Sequence, residues 1–210
     1  MKQVISEVGE PRAIEERSMQ IIGKLLEGRE LPPGEESVTK RVVHATADVE
    51  YADLLQFHPH AVGAGLEAIR AGYSVVADVN MVKAGINSAK LRVYGGEVRC
   101  FVAEPRVVEE AQRRGVTRAR VAMRFAAEDP DNRIYVIGNS PTALFELCDL
   151  IAKGKISPAL VIGTPVGFVG AAESKGLLTT LEIPYIITRG PKGGSSVAVA
   201  IFNALLYMLN

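Results

Sequence analysis

The sequence predicts an α/β fold in which one doubly wound, mainly parallel sheet is covered by helices on both faces. Three observations carry that prediction. The chain up to Gly72 reads as helix broken by turns. Beyond Gly72, short β-branched runs alternate with helical patterns. Strands separated by helices imply right-handed crossovers, and hence parallel pairing buried on both sides. About five such strands fit a flavodoxin-like layout with the helical N-terminal segment packed on the sheet, and ligands in such sheets bind at the carboxyl ends of the strands.

The first helix is expected over Glu10–Gly28, with Pro11 near its start, Gly28 at its end, and apolar residues at Ile14, Ile21, Ile22, Leu25 and Leu26. Pro32, Pro33 and Gly34 then break the chain into a polar turn. A second helix is read over about 35–47, with Val38, Val42 and Ala45 on one stripe, and a third over about 59–71. Strands are read at 73–79, 97–103, 133–139, 159–164 and 184–190, and helices near 105–114, 117–127, 141–152, 170–180 and 194–208. The 210 residues suit a single unit spanning 1–210, since domains commonly hold roughly 100–200 residues. No internal repeat, low-complexity tract or long linker divides them.

Composition excludes several classes of partner. Lys plus Arg equals Asp plus Glu at 24 each, so no global field points to nucleic acid or to a membrane surface. An anionic ligand must therefore be met by local arginines. Met1–Gly9 has no sustained apolar run of the kind a leader needs, and no stretch approaches the roughly 20 apolar residues that cross a bilayer. The expected location is the cytoplasm. Cys100 and Cys148 sit singly in apolar runs and read as small core residues. Without HExxH, CxxC or a second helical histidine, no protein metal site is expected. Neither GxGxxG nor GxxxxGK[ST] occurs, so dinucleotide and P-loop readings lose support.

The loops at the strand ends are the first candidates for chemistry. Ile137–Thr142, Gly163–Phe168 and Arg189–Ser196 are rich in small residues and each leads toward a helix. They read either as tight βα turns or as helix starts whose N–H groups receive anionic oxygens. Lys192-Gly193-Gly194-Ser195 is the best anion candidate, with a cation, two glycines and a hydroxyl. On the helices, Arg41, His44 and Asp48 follow one another at i, i+3 and i+7, so an uninterrupted helix aligns them, and the apolar neighbours of Arg41 imply a stripe facing inward. His44 is then either a proton-transfer group steadied by Asp48 or a satisfied structural histidine. Ser18 lies four residues from both Ile14 and Ile22, and reads as a ligand contact or a helix-face hydroxyl. Arg118 shares a stripe with Val121, Ala122 and Phe125, and reads as a carboxylate binder or an ion-pair partner. His58 and His60 flank Pro59 in a polar turn and read as solvated.

The stretches KRVVHATAD (40–48), SVVADVNMVKAGI (74–86), IGNSPTALFEL (137–147), PVGFVGAAESK (165–175) and GPKGGSSVAVAIFNAL (190–205) resemble the precorrin-8X (cobalt-precorrin-8) methylmutase family of corrin biosynthesis. With the helix carrying Ser18, they span nearly the whole chain. The resemblance implies a homodimer of flavodoxin-like protomers that needs no added cofactor. It implies a reaction moving a methyl group from carbon 11 to carbon 12 of the macrocycle of precorrin-8 or cobalt-precorrin-8, giving the hydrogenobyrinate or cobyrinate skeleton. It casts His44 as the proton donor and acceptor, and Ser18 and Arg41 as substrate contacts in which Arg41 clamps a carboxylate. Arg118, of the Thr117-Arg118 pair, resembles another pocket arginine, although Ala119-Arg120-Val121 stands where the family usually has small residues. Two rival readings are a non-catalytic tetrapyrrole carrier using the same arginines and loops, and a nucleotide-dependent flavodoxin-like enzyme.

Overall fold

The computed structural model describes residues 11–209. Glu10, the expected first residue of the opening helix, and the Met1–Gly9 stretch read for a leader lie outside the described residues. Helix α1 (Pro11–Leu25) leads through the proline turn to α2 (Pro33–Thr46). Pro33 opens α2 where a missing N–H costs no intrahelical bond. Ala47 closes α2 in the left-handed region at φ 54°. A short helix α3 (Tyr51–Leu54) and strand β1 (Leu55–Phe57) precede α4 (Ala61–Arg70).

The five expected strands are present as β2 (Ser74–Ala77), β3 (Val98–Arg99), β4 (Asn132–Ile137), β5 (Leu160–Gly163) and β6 (Tyr185–Thr188). Between and after them lie α5 (Asn80–Gly85), α6 (Ser88–Val93), α7 (Pro105–Arg114), α8 (Arg118–Ala126), α9 (Pro141–Ala152), α10 (Ala171–Leu178) and α11 (Ser195–Met208). The spatial order is β1-β6-β5-β4-β2-β3, and β2 to β6 are mutually parallel. Reading those five in chain order gives 2-1-3-4-5, the flavodoxin-like arrangement, with its switch point between β2 and β4.

The short helices α3, α5 and α6 were not among the expected elements, and two strands also depart from expectation. β1 is a sixth strand, antiparallel to β6, that periodicity did not mark. Leu55-Gln56-Phe57 alternates, but three residues are too short a run for the alternation to be a signal. β3 keeps only Val98 and Arg99 of the seven residues expected, paired to Val75 and Val76. As an edge strand it has a neighbour on one side only, so nothing holds Cys100–Ala103 extended.

Alternation along the strands divides the core. Ile134 and Val136 of β4 join Val75, Ile162 and Ile186 on the face covered by α4 and α11. Tyr135 and Ile137 join Val76, Val161 and Ile187 on the face covered by α8 and α9. α11 is apolar nearly all round because it is buried nearly all round, with α2 laid along its outer side. The N-terminal segment thus packs onto the sheet through α11. Of the five apolar positions expected to bury α1, only Ile22 and Leu26 do so, and Ile14, Ile21 and Leu25 stay exposed.

Candidate active site

α2 and α11 run antiparallel. The Arg41 guanidinium lies 5.2 Å from the ring centroid of Tyr207, near the end of α11, whereas Asp48, just past α2, bonds Lys192, just ahead of α11. The last turn of α2, which carries His44, therefore stands beside the first turn of α11, above the carboxyl ends of the strands. There the β4 loop comes close: a Cβ added at Gly138 would lie 2.8 Å from the Ser195 Cα. A crevice of about 420 Å³ opens at this junction, lined among others by Arg41, Ala45, Met81, Ser195, Ser196 and Tyr207.

The His44 stripe does not face inward. α2 buries Val38, Thr39, Val42 and Val43 against its neighbours, which leaves Arg41 partly exposed and His44 and Ala45 exposed. The stripe faces outward, with Arg41 on the crevice and His44 in solvent beside it, because two adjacent rows, 38/42 and 39/43, take the whole packing surface. Asp48 also leaves the stripe, since the left-handed Ala47 ends the helix one residue earlier. Its carboxylate goes to Lys192 Nζ at 2.7 Å rather than to His44, and hydrogen bonding to that ammonium holds its pKa below the ordinary range.

This corrects the reading of Lys192 as well. Its ammonium is shared by Asp48 and by Glu50, also at 2.7 Å, and both carboxylates push its pKa up. The cation of the Lys192–Ser195 loop is committed to a structural ion pair. What the loop offers a ligand is backbone. Gly193 has no room for a side chain, because a Cβ there would overlap the Thr164 carbonyl oxygen. The Gly194 N–H donates to that same oxygen at 2.8 Å. The loop is thereby pinned to the end of β5, directly ahead of the first turn of α11, whose N–H groups have no intrahelical partner.

Arg41 is an ion-pair partner in this state. Its Nη1 donates to Glu15 Oε1 of α1 at 2.7 Å, and that bond, with the charge behind it, lowers the Glu15 pKa; the charge of His44 adds to the effect. Ser18 donates to the Ile14 carbonyl within α1 at 2.9 Å. Arg118 is exposed rather than on a buried side: it is the first residue of α8, just past the N-cap Thr117. The arginines that reach a buried carboxylate are instead the exposed Arg120 and the half-buried Arg124, each 2.5 Å from Glu146. His60 is exposed as expected, but His58 is half-buried, its ring set edge-on against Tyr185 with 5.5 Å between centroids. Cys148 is a buried core residue whose thiol is pushed up to about 12 by burial. Among the described residues, no three His, Cys, Asp or Glu side chains gather into a metal-binding group.

Two polar residues near the strand ends escaped sequence reading. Asp78, fully buried at the end of β2, accepts the N–H groups of Gly138, Asn139 and Ser140 at 3.1, 2.8 and 2.7 Å. It ties β2 to the β4 loop across the switch point, and burial raises its pKa against the pull of those three donors. Lys175 is 1% exposed on α10, on a buried row with Ala171, Ser174 and Leu178. That 3-4-7 spacing was the signal that would have placed it inside. Burial lowers its pKa to about 8.

With this geometry established, comparisons place the chain among known proteins. A family model described as precorrin-8X methylmutase matches residues 13–208. The chain is 45% identical over 196 residues to the cobalt-precorrin-8 methylmutase of Priestia megaterium, covering 93% of this chain and 87% of that protein. It is 41% identical to the precorrin-8X methylmutase of Pseudomonas aeruginosa, with 83% and 85% covered. The crystal structure of the precorrin-8x methyl mutase from Thermus thermophilus superposes with a TM-score of 0.87 at 42% identity, covering 94% of this chain and 95% of that one.

Proposed function

The chain belongs to the precorrin-8X methylmutase family, and from that premise we propose that it moves a methyl group from carbon 11 to carbon 12 of precorrin-8 or cobalt-precorrin-8 in the crevice between α2 and α11. Its isomerase role in cobalamin biosynthesis follows from relatives of that name matched over most of their length. A pure carrier is disfavoured on the same ground.

One observation carries the site assignment: Arg41 and Ala45 of α2 line a crevice with Ser195 and Ser196 at the N-terminus of α11, and His44 is exposed next to Ala45. A corrin precursor is a large ring fringed with acetate and propionate groups. His44, exposed at the rim, protonates a ring nitrogen beside the migrating methyl, which leaves the π-system electron-poor and lowers the barrier to a sigmatropic shift. The proton returns to His44 when the methyl has moved, so substrate and product have the same composition and no hydride carrier is consumed. Arg41 exchanges Glu15 for a substrate carboxylate, with its stack on Tyr207 keeping the guanidinium in place. Ser18, Arg118 and the backbone of Lys192–Ser195 contact the fringe. Binding that favours the rearranged ring adds to the rate.

The protein acts as a single domain and a homodimer in the cytoplasm. The exposed Ile14, Ile21 and Leu25 of α1 supply apolar surface for a second copy, and among the described residues no helix is long and apolar enough to cross a membrane. Incubation with each substrate, followed by absorbance, is expected to give the product spectrum; an unchanged spectrum with both rules the activity out. His44→Ala is expected to slow conversion on the order of 100-fold or more, the usual share of general acid–base catalysis, with corrinoid binding kept. Undiminished single-turnover conversion would remove His44 from the chemistry.

A further inference from the structure

Lys175 is buried beneath the loop that joins β6 to α11. Its Nζ donates to the Lys192 carbonyl at 2.8 Å and to Thr188 Oγ1 at 3.2 Å. Thr188, itself fully buried, donates to the same carbonyl at 2.7 Å. No carboxylate pairs with this ammonium among the described residues. A buried cation without a counter-charge is costly to fold around, yet here it spends its donors on one backbone carbonyl and one hydroxyl. The peptide bond after that carbonyl is trans, so the Lys192 C=O and the Gly193 N–H point in opposite directions. With the carbonyl held inward, the N–H is turned outward. The next residues are fixed too: Gly194 N–H donates to the Thr164 oxygen, and Tyr51 Oη donates to the Gly193 carbonyl at 3.3 Å.

We propose that Lys175 is a positioning residue for the substrate: by clamping the Lys192 carbonyl it aims the Gly193 N–H and the first N–H groups of α11 at a carboxylate of the corrin precursor. The substrate part of this proposal rests on the function proposed above. Lys192 cannot take that role through its own charge, because Asp48 and Glu50 hold it. A preset row of N–H donors binds an anion without the cost of ordering a loop.

Lys175→Met keeps an unbranched side chain one atom shorter and removes the cation, an exchange that buried sites often tolerate or gain from. In the ligand-free protein, amide hydrogen exchange over 189–197 is expected to speed up several-fold while circular dichroism is unchanged. With substrate, KM is expected to rise about tenfold, the scale of one lost charged hydrogen bond, while kcat changes less than about twofold. Thr188→Val, which removes the shared hydroxyl and leaves the charge, should move both quantities the same way by less, and it decides the matter if Lys175→Met does not fold. Unaltered exchange in 189–197 with unaltered KM overturns the proposal, as does a fall in kcat at constant KM. A wild-type protein that neither converts nor binds the corrinoid sinks the functional reading instead, and the exchange measurement then still decides whether Lys175 sets the loop.

Discussion

Burial gives Lys175 a second consequence, in stability. Its pKa falls from 10.5 to about 8 on folding. Between those values the unfolded chain keeps a proton that the folded chain has released, so stability from this group rises with pH across that window and is lowest below it. Cys148 acts oppositely above about 9, because its buried thiol stays protonated up to about 12. The informative quantity is therefore a difference: urea unfolding from pH 7.5 to 10.5 should show a pH-linked gain in the wild type that Lys175→Met lacks. Arg41 supplies another test at this scale. Its pair with Glu15 is largely solvent-exposed, with the Glu15 side chain 52% accessible, and such pairs contribute little to stability. Glu15→Ala should leave the melting temperature within a few degrees and lower KM by roughly two- to fivefold, a fraction of 1.4 kcal/mol, by freeing the guanidinium for substrate; a raised KM would show Glu15 to be a support rather than a competitor. Of the proposed site residues, the alignment of Arg41 and His44 on α2 was legible from their spacing, while the roles proposed for them come from the family resemblance. Their exposure was not legible, because a spacing of 3 and 4 says which residues share a stripe and not which stripe the neighbours cover.

At the scale of elements, the loops at the strand ends carry the proposed site, and glycine decides their course. Gly193 faces the Thr164 carbonyl with no space for a methyl group. Gly193→Ala should destabilise the protein by on the order of 2–3 kcal/mol through overpacking against rigid backbone and weaken corrinoid binding with it; a variant of wild-type melting temperature and affinity would show that the loop can yield. The glycines and Ser140-Pro141 made these loops readable as helix starts, since a cap residue and an N1 proline act within a few residues of themselves. Strand β1 was unreadable for the converse reason. Leu55–Phe57 is too short for its alternation to be read, and it is marked as a strand by its pairing with the edge of β6.

The whole molecule shares one sheet between two core clusters, and α11 joins the N-terminal helices to it. Unfolding followed by far-UV circular dichroism and by the fluorescence of the six tyrosines should therefore give coincident single transitions; separated midpoints would divide α1 and α2 from the rest. The order of the five parallel strands and of the longer helices, and with it the flavodoxin-like winding, was determined by the sequence itself. Periodicity, glycine and proline act locally, and the crossover rule turns that local order into a topology. The partners of the charges were decided only by the tertiary structure. Lys192 meets Asp48 across 144 residues of chain and Arg41 meets Glu15 across 26, whereas Lys175 meets no carboxylate among the described residues. Coulomb energy depends on separation in space and on burial, and neither is written in the spacing of residues along the chain.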